Sequence, residues 1–115
     1  MKTLPPTYYR LLARITKAAE RETPAIIRAL PRELQERIGG LSVRFEDRPT
    51  EKMVEQGVPA EALSTVDREA GQITIFIMNL FDRHGKYPGE YNLEFRKVLV
   101  KEFEDWAGAD VRFTD

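Results

Sequence analysis

Gln72-Ile73-Thr74-Ile75-Phe76-Ile77-Met78-Asn79-Leu80 is the stretch on which the fold turns. Ile73, Ile75 and Ile77 alternate to one side, as a strand of period two demands. Phe76 and Met78 make the second side apolar as well, so the run reads as the central strand of a sheet, covered at least in part on both faces. Residues 63–67 lie just upstream and form a hairpin with it through a turn near Glu69-Ala70-Gly71. A third strand is predicted over residues 41–45, where Leu41, Val43 and Phe45 point inward.

Helices surround this sheet. Thr7 caps one that runs to about Arg21, with Tyr8, Leu11, Leu12, Ile15, Ala18 and Ala19 on one face and Arg10, Arg14 and Lys17 on the other. Thr23-Pro24 reads as a fresh N-cap followed by proline at the first helical position. A short helical piece over residues 25–30 and another over residues 32–38 follow, the latter ended by Gly39-Gly40. Thr50 caps a short helix through Gln56. Residues 81–90, with Gly85, Gly89 and Pro88, read as a loop, and a final helix runs from an Asn92 cap to a stop at Gly108. The order predicts a small α+β fold: helices packed on a three-stranded mixed or antiparallel sheet. One domain is expected over residues 1–115, with a basic amphipathic helix over 1–22 and the remaining core over 23–115.

Composition narrows the chemistry. The chain has 115 residues, a net charge of -1 and no cysteine. Disulfides, thiolate nucleophiles and Cys-ligated metal sites are thereby excluded. No block of like charge is long enough to track phosphates, so no nucleic-acid partner is expected. No apolar run is long enough for a membrane span. Pro5-Pro6, Arg10 and Arg14 interrupt what would be the core of a signal peptide, and a cytoplasmic location is expected. Residues 1–21 carry five cations against Glu20, a net +4. Such a helix could lie on an acidic partner or a membrane surface; a packing helix with a solvated basic face is the plainer reading. There is no Gly-rich phosphate loop. A Ser-His-Asp triad would need His84, the single histidine, and either Ser42 or Ser64, and Ser42 sits in a predicted strand with no elbow sequence. His84 itself falls in the polar loop, where a solvated imidazole is expected.

The remaining candidates cluster near the C-terminus: Glu102, Glu104, Asp105 and Asp110. On a helix, Phe95, Leu99 and Trp106 share a face flanked by Val98 and Phe103. Glu102 is expected in the middle of that apolar stripe, where a carboxylate is costly unless paired. Asp105 follows Lys101 by one turn, placing the two for an i, i+4 pair.

Three further segments join this helix in a pattern. They are Leu30-Pro31-Arg32-Glu33-Leu34-Gln35-Glu36-Arg37, Leu41-Ser42-Val43-Arg44-Phe45-Glu46-Asp47 and Ile73-Thr74-Ile75-Phe76. With them the chain resembles the small bacterial zincin-like metallopeptidases, whose last helix carries His-Glu-x-x-His-x-x-Gly-x-Asp. The corresponding residues here are Lys101-Glu102-Phe103-Glu104-Asp105-Trp106-Ala107-Gly108-Ala109-Asp110. The glutamate, the glycine and the last aspartate match; both histidines are replaced. In the family pattern the histidines hold zinc and the glutamate takes a proton from the metal-bound water. Lys101 cannot ligate while protonated, and carboxylates without histidine suit a harder cation than zinc.

The resemblance therefore implies a zincin-like fold without catalysis and without a cofactor, the zinc of the family having lost its ligands. Glu102 is then a former general base, and Lys101, Asp105 and Asp110 stand at the old metal site. The domain would survive as a binding or scaffolding module for an unidentified protein or peptide, held by strand addition. An ion pair of Lys101 with Asp105, and in a wider version Asp110, is expected in place of the metal. Glu102 is expected to pair with an arginine or His84, or to carry a pKa raised by burial. Two alternatives stand beside this: a hydrolase using Mg²⁺ or Mn²⁺ on Glu102, Asp105 and Asp110, and a partner-binding module working through the basic helix over residues 8–21.

Overall fold

The structure, a computed structural model, describes residues 6–108. Its elements in chain order are α1 (Pro6–Arg28), α2 (Arg32–Arg37), β1 (Ser42–Glu46), α3 (Glu51–Glu55), β2 (Ser64–Asp67), β3 (Gln72–Phe76), α4 (Ile77–His84) and α5 (Pro88–Ala107). They form an α+β fold on a mixed sheet of strand order β1-β3-β2. The strand β3 is central, parallel to β1 and antiparallel to β2. Among the described residues, no helix is long and apolar enough to cross a membrane.

The central strand is shorter than its apolar pattern predicts. Pairing ends at Phe76 on both sides, with Glu46 of β1 as its register partner and the Leu63 carbonyl accepting from the Phe76 amide at 2.9 Å. No neighbour continues beyond that point, so the backbone of residues 77–80 must satisfy its own hydrogen bonds. It does so as a helix, started where the Met78 amide donates to the Asp47 carbonyl at 2.9 Å. Ile77, Met78 and Leu80 stay buried, because an unbroken apolar run suits a buried helix as well as a buried strand.

Two other expectations are corrected at proline residues. Thr23-Pro24 does not restart a helix, and the boundary expected between residues 22 and 23 falls inside α1. An interior proline removes one backbone bond, costing about 3 kcal/mol in an isolated helix. Burial on both sides of it, by Ile15, Ala19 and Ile26, holds the element together. The Thr23 hydroxyl is used within the helix, donating to the Ala19 carbonyl at 2.7 Å. At the other end of the chain, α5 begins at Pro88 and not after Asn92. A proline at the first helical position has no donor to lose. The predicted loop over residues 81–90 thus shrinks to residues 85–87, between two helices. The cap at Thr50 forms as expected, its side chain accepting from the Met53 amide at 3.1 Å.

One face of the sheet carries Val43 and Phe45 of β1, Ile73 and Ile75 of β3, and Ser64 and Val66 of β2. Helices α1, α2, α4 and α5, but not α3, pack on this face. The row Tyr91, Phe95, Leu99 and Phe103 of α5, spaced by four residues, is buried there with Ile15, Leu34 and Leu80. Burial of such aliphatic and aromatic side chains contributes about 1.5–3 kcal/mol each. The opposite face bears Ser42, Arg44, Thr65, Asp67, Gln72 and Thr74, and Arg44 pairs with Glu46 at 2.9 Å.

Candidate functional site

The buried row of α5 passes from Leu99 to Phe103 and leaves Glu102 beside it, so the carboxylate stands on the flank of the apolar stripe and not in its middle. Leu99 and Phe103 are buried, while Glu102 and Trp106 are half-buried. Ser64, at the start of the edge strand β2, lies near enough to Glu102 for its hydroxyl to favour the charged carboxylate.

Burial raises the Glu102 pKa above the ordinary glutamate value. The Ser64 hydroxyl opposes this, the Asp105 charge adds to it, and the Lys101 and Arg68 charges oppose it. Of the partners expected for Glu102, neither an arginine nor His84 forms an ion pair with it among the described residues. Arg68 acts on it only as a nearby charge, stacked instead over Trp106 with its guanidinium carbon 5.4 Å from the ring centroid.

His84 is not a partner of Glu102. Its Nδ1 lies 3.4 Å from Glu90 Oε1 and its Nε2 lies 3.9 Å from Glu94 Oε2. The two carboxylates bracket the ring from opposite nitrogens and do not converge on one point. Lys101 and Asp105 are both exposed, and no ion pair joins Lys101 to Asp105 or to any other described residue. The pair expected in place of a metal is therefore absent for Lys101 and Asp105; its wider version includes Asp110, which lies outside the described residues. Among the described residues no three His, Asp or Glu side chains are grouped to hold a metal ion.

The edge strand adds the second half of the site. Because Leu63 and Phe76 form a hydrogen-bonded pair, the ladder alternates so that Thr65 and Asp67 bond to β3 while Ser64 and Val66 turn their amides and carbonyls outward. Among the described residues, no sheet neighbour and no other backbone group pairs with the outer edge of β2. One strip of surface thus joins strand backbone that no described residue pairs with, the half-buried Glu102 and the Arg68–Trp106 stack. Such a strip can take an extended chain by backbone pairing and offer it a carboxyl group and a cation.

Neither Ser64 nor Arg68 is marked by sequence as part of this site. A signal for Ser64 exists: alternation along the hairpin puts it on the inner face with Val66. What places it against Glu102 is the path of α5 beneath β2, a tertiary fact.

At the opposite sheet edge, α1 and β1 enclose a groove of about 570 Å³ lined by Glu20, Thr23, Ile27, Val43 and Phe45, among others. It shares no residue with the Glu102 site. Compared with protein-family models, curated proteins and solved structures, the chain matches none.

Proposed function

We propose that this chain is a degenerate zincin-like metallopeptidase homologue, without zinc or catalysis, that holds an extended peptide along the outer edge of β2. The observation that carries the reading is the half-buried Glu102 beside Ser64, on a strand whose outer edge has no partner among the described residues. A former general base would stand at such a place, next to the backbone of a bound chain. The donor set supports the loss of zinc: an ammonium and a carboxylate occupy the two positions where the resembled motif has histidines, and both are exposed. The chain has a single histidine and no cysteine, so a nitrogen- or sulfur-rich zinc site cannot be assembled from one molecule.

Restoring the motif tests the family reading directly. The double variant Lys101→His/Asp105→His is expected to retain stoichiometric zinc after dialysis, while the unaltered protein retains none. Failure of the folded double variant to hold zinc would remove the zincin reading. Zinc retained by the unaltered protein would overturn the loss of the site.

A further inference from the structure

The helix α1 carries a row of cations that nothing else in the described fold uses. Arg10, Arg14, Lys17, Arg21 and Arg28 are all exposed. At 3.6 residues per turn they fall within about 60° of arc and extend over about 27 Å of helix. None of them forms an ion pair among the described residues. Arg28 belongs to the row because the helix continues through Pro24. The arrangement works against the helix itself, since Arg10 with Arg14 and Lys17 with Arg21 are like charges one turn apart. The opposite face of α1 is committed to the core through Ile15, Ala19 and Ile26.

We propose that this row docks an acidic helix of a partner protein, a surface distinct from the Glu102 site. The successive axial steps from Arg10 to Arg14, Lys17 and Arg21 are about 6, 4.5 and 6 Å. Carboxylates at i, i+4, i+7 and i+11 on a second helix repeat those steps along a straight line. The other polyanions fit less well. A duplex backbone winds through most of a turn in about 27 Å and leaves a straight row. A membrane plane would favour a wide basic face or an insertable apolar one, whereas this row is one file wide, is flanked by the exposed Glu20 and Glu22, and has its apolar face buried.

The test uses the full chain and a synthetic helical peptide with glutamate at i, i+4, i+7 and i+11. Its control has the same composition with the glutamates spread around the helix. The matched peptide is expected to bind at least tenfold more tightly than the control, with affinity falling as salt rises. Arg14→Glu/Arg21→Glu should abolish binding and Arg14→Gln/Arg21→Gln should weaken it, both with unchanged circular dichroism. Glu102→Gln should leave it unaltered. Equal binding of the two peptides, or binding of neither, overturns the proposal. So does tighter binding to a single-stranded oligonucleotide or to vesicles containing phosphatidylserine.

Discussion

Glu102 and Tyr91 lie on the same helix and illustrate two ways of burying a polar group. Burial holds the Glu102 carboxyl above its ordinary pKa, so the folded protein keeps a proton that the unfolded chain has already released. In that window the unfolded state binds fewer protons, and stability falls as pH rises from the ordinary glutamate range through the folded value. Glu102→Gln removes this loss while keeping a group that Ser64 can hydrogen-bond. Thermal unfolding is expected to show a gain at about pH 7, under about 1 kcal/mol because water screens a half-buried group, and no gain at about pH 3. A gain at both pH values would mean that charge is not the cause. Tyr91 is simpler. Its hydroxyl is buried without a hydrogen-bond partner among the described residues, and burial pushes its pKa up to about 12. Tyr91→Phe removes the desolvated hydroxyl and keeps the ring against Phe81. Urea unfolding should show a stabilisation of about 1 kcal/mol.

At the scale of elements, β2 is where the proposed function meets the ladder. Thr65 bonds to β3, whereas the Val66 amide points to the open edge. Proline at the two positions should therefore act differently. Thr65→Pro removes a ladder bond, leaves its β3 acceptor unsatisfied and should destabilise the sheet by about 1–3 kcal/mol. Val66→Pro should leave the ladder intact, cost mainly packing, and abolish strand addition at that edge. Amide chemical shifts with an extended peptide present would check this; binding retained by folded Val66→Pro would place the peptide elsewhere. The turn between α4 and α5 sets a different limit. A Cβ on Gly85 would fall onto the Phe81 carbonyl oxygen and ring, so Gly85→Ala is expected to cost about 1–3 kcal/mol in chemical denaturation.

Across the whole molecule, a polar network joins segments that the sheet alone does not. Asn79 of α4 donates to the carbonyls of Ala60 and Ala62 at 2.9 Å each and accepts from Arg48 at 3.0 Å. Arg48 also reaches Asp82 at 2.6 Å. The connections on either side of α3 are thus tied to α4, which itself continues β3. Asn79 is buried, so Asn79→Ala should cost about 2 kcal/mol and loosen residues 56–63, read as faster amide exchange there.

Much of this fold was legible locally. Alternation gave the inner face of residues 41–45, Thr50 announced its cap, and the spacing of Arg10, Arg14 and Lys17 marked the exposed face of α1. These features depend on neighbours within a turn or a strand repeat, and the amino-acid sequence by itself determined them. Tertiary structure alone decided where β3 stops, whether Pro24 breaks α1, and how deeply Glu102 is buried. Each of those depends on a partner far along the chain: the ends of β1 and β2, the core against Ile15 and Ile26, and Ser64 above α5. Periodicity reports which face of an element is apolar, but hydrogen-bond partners and burial depth exist only once distant segments have met.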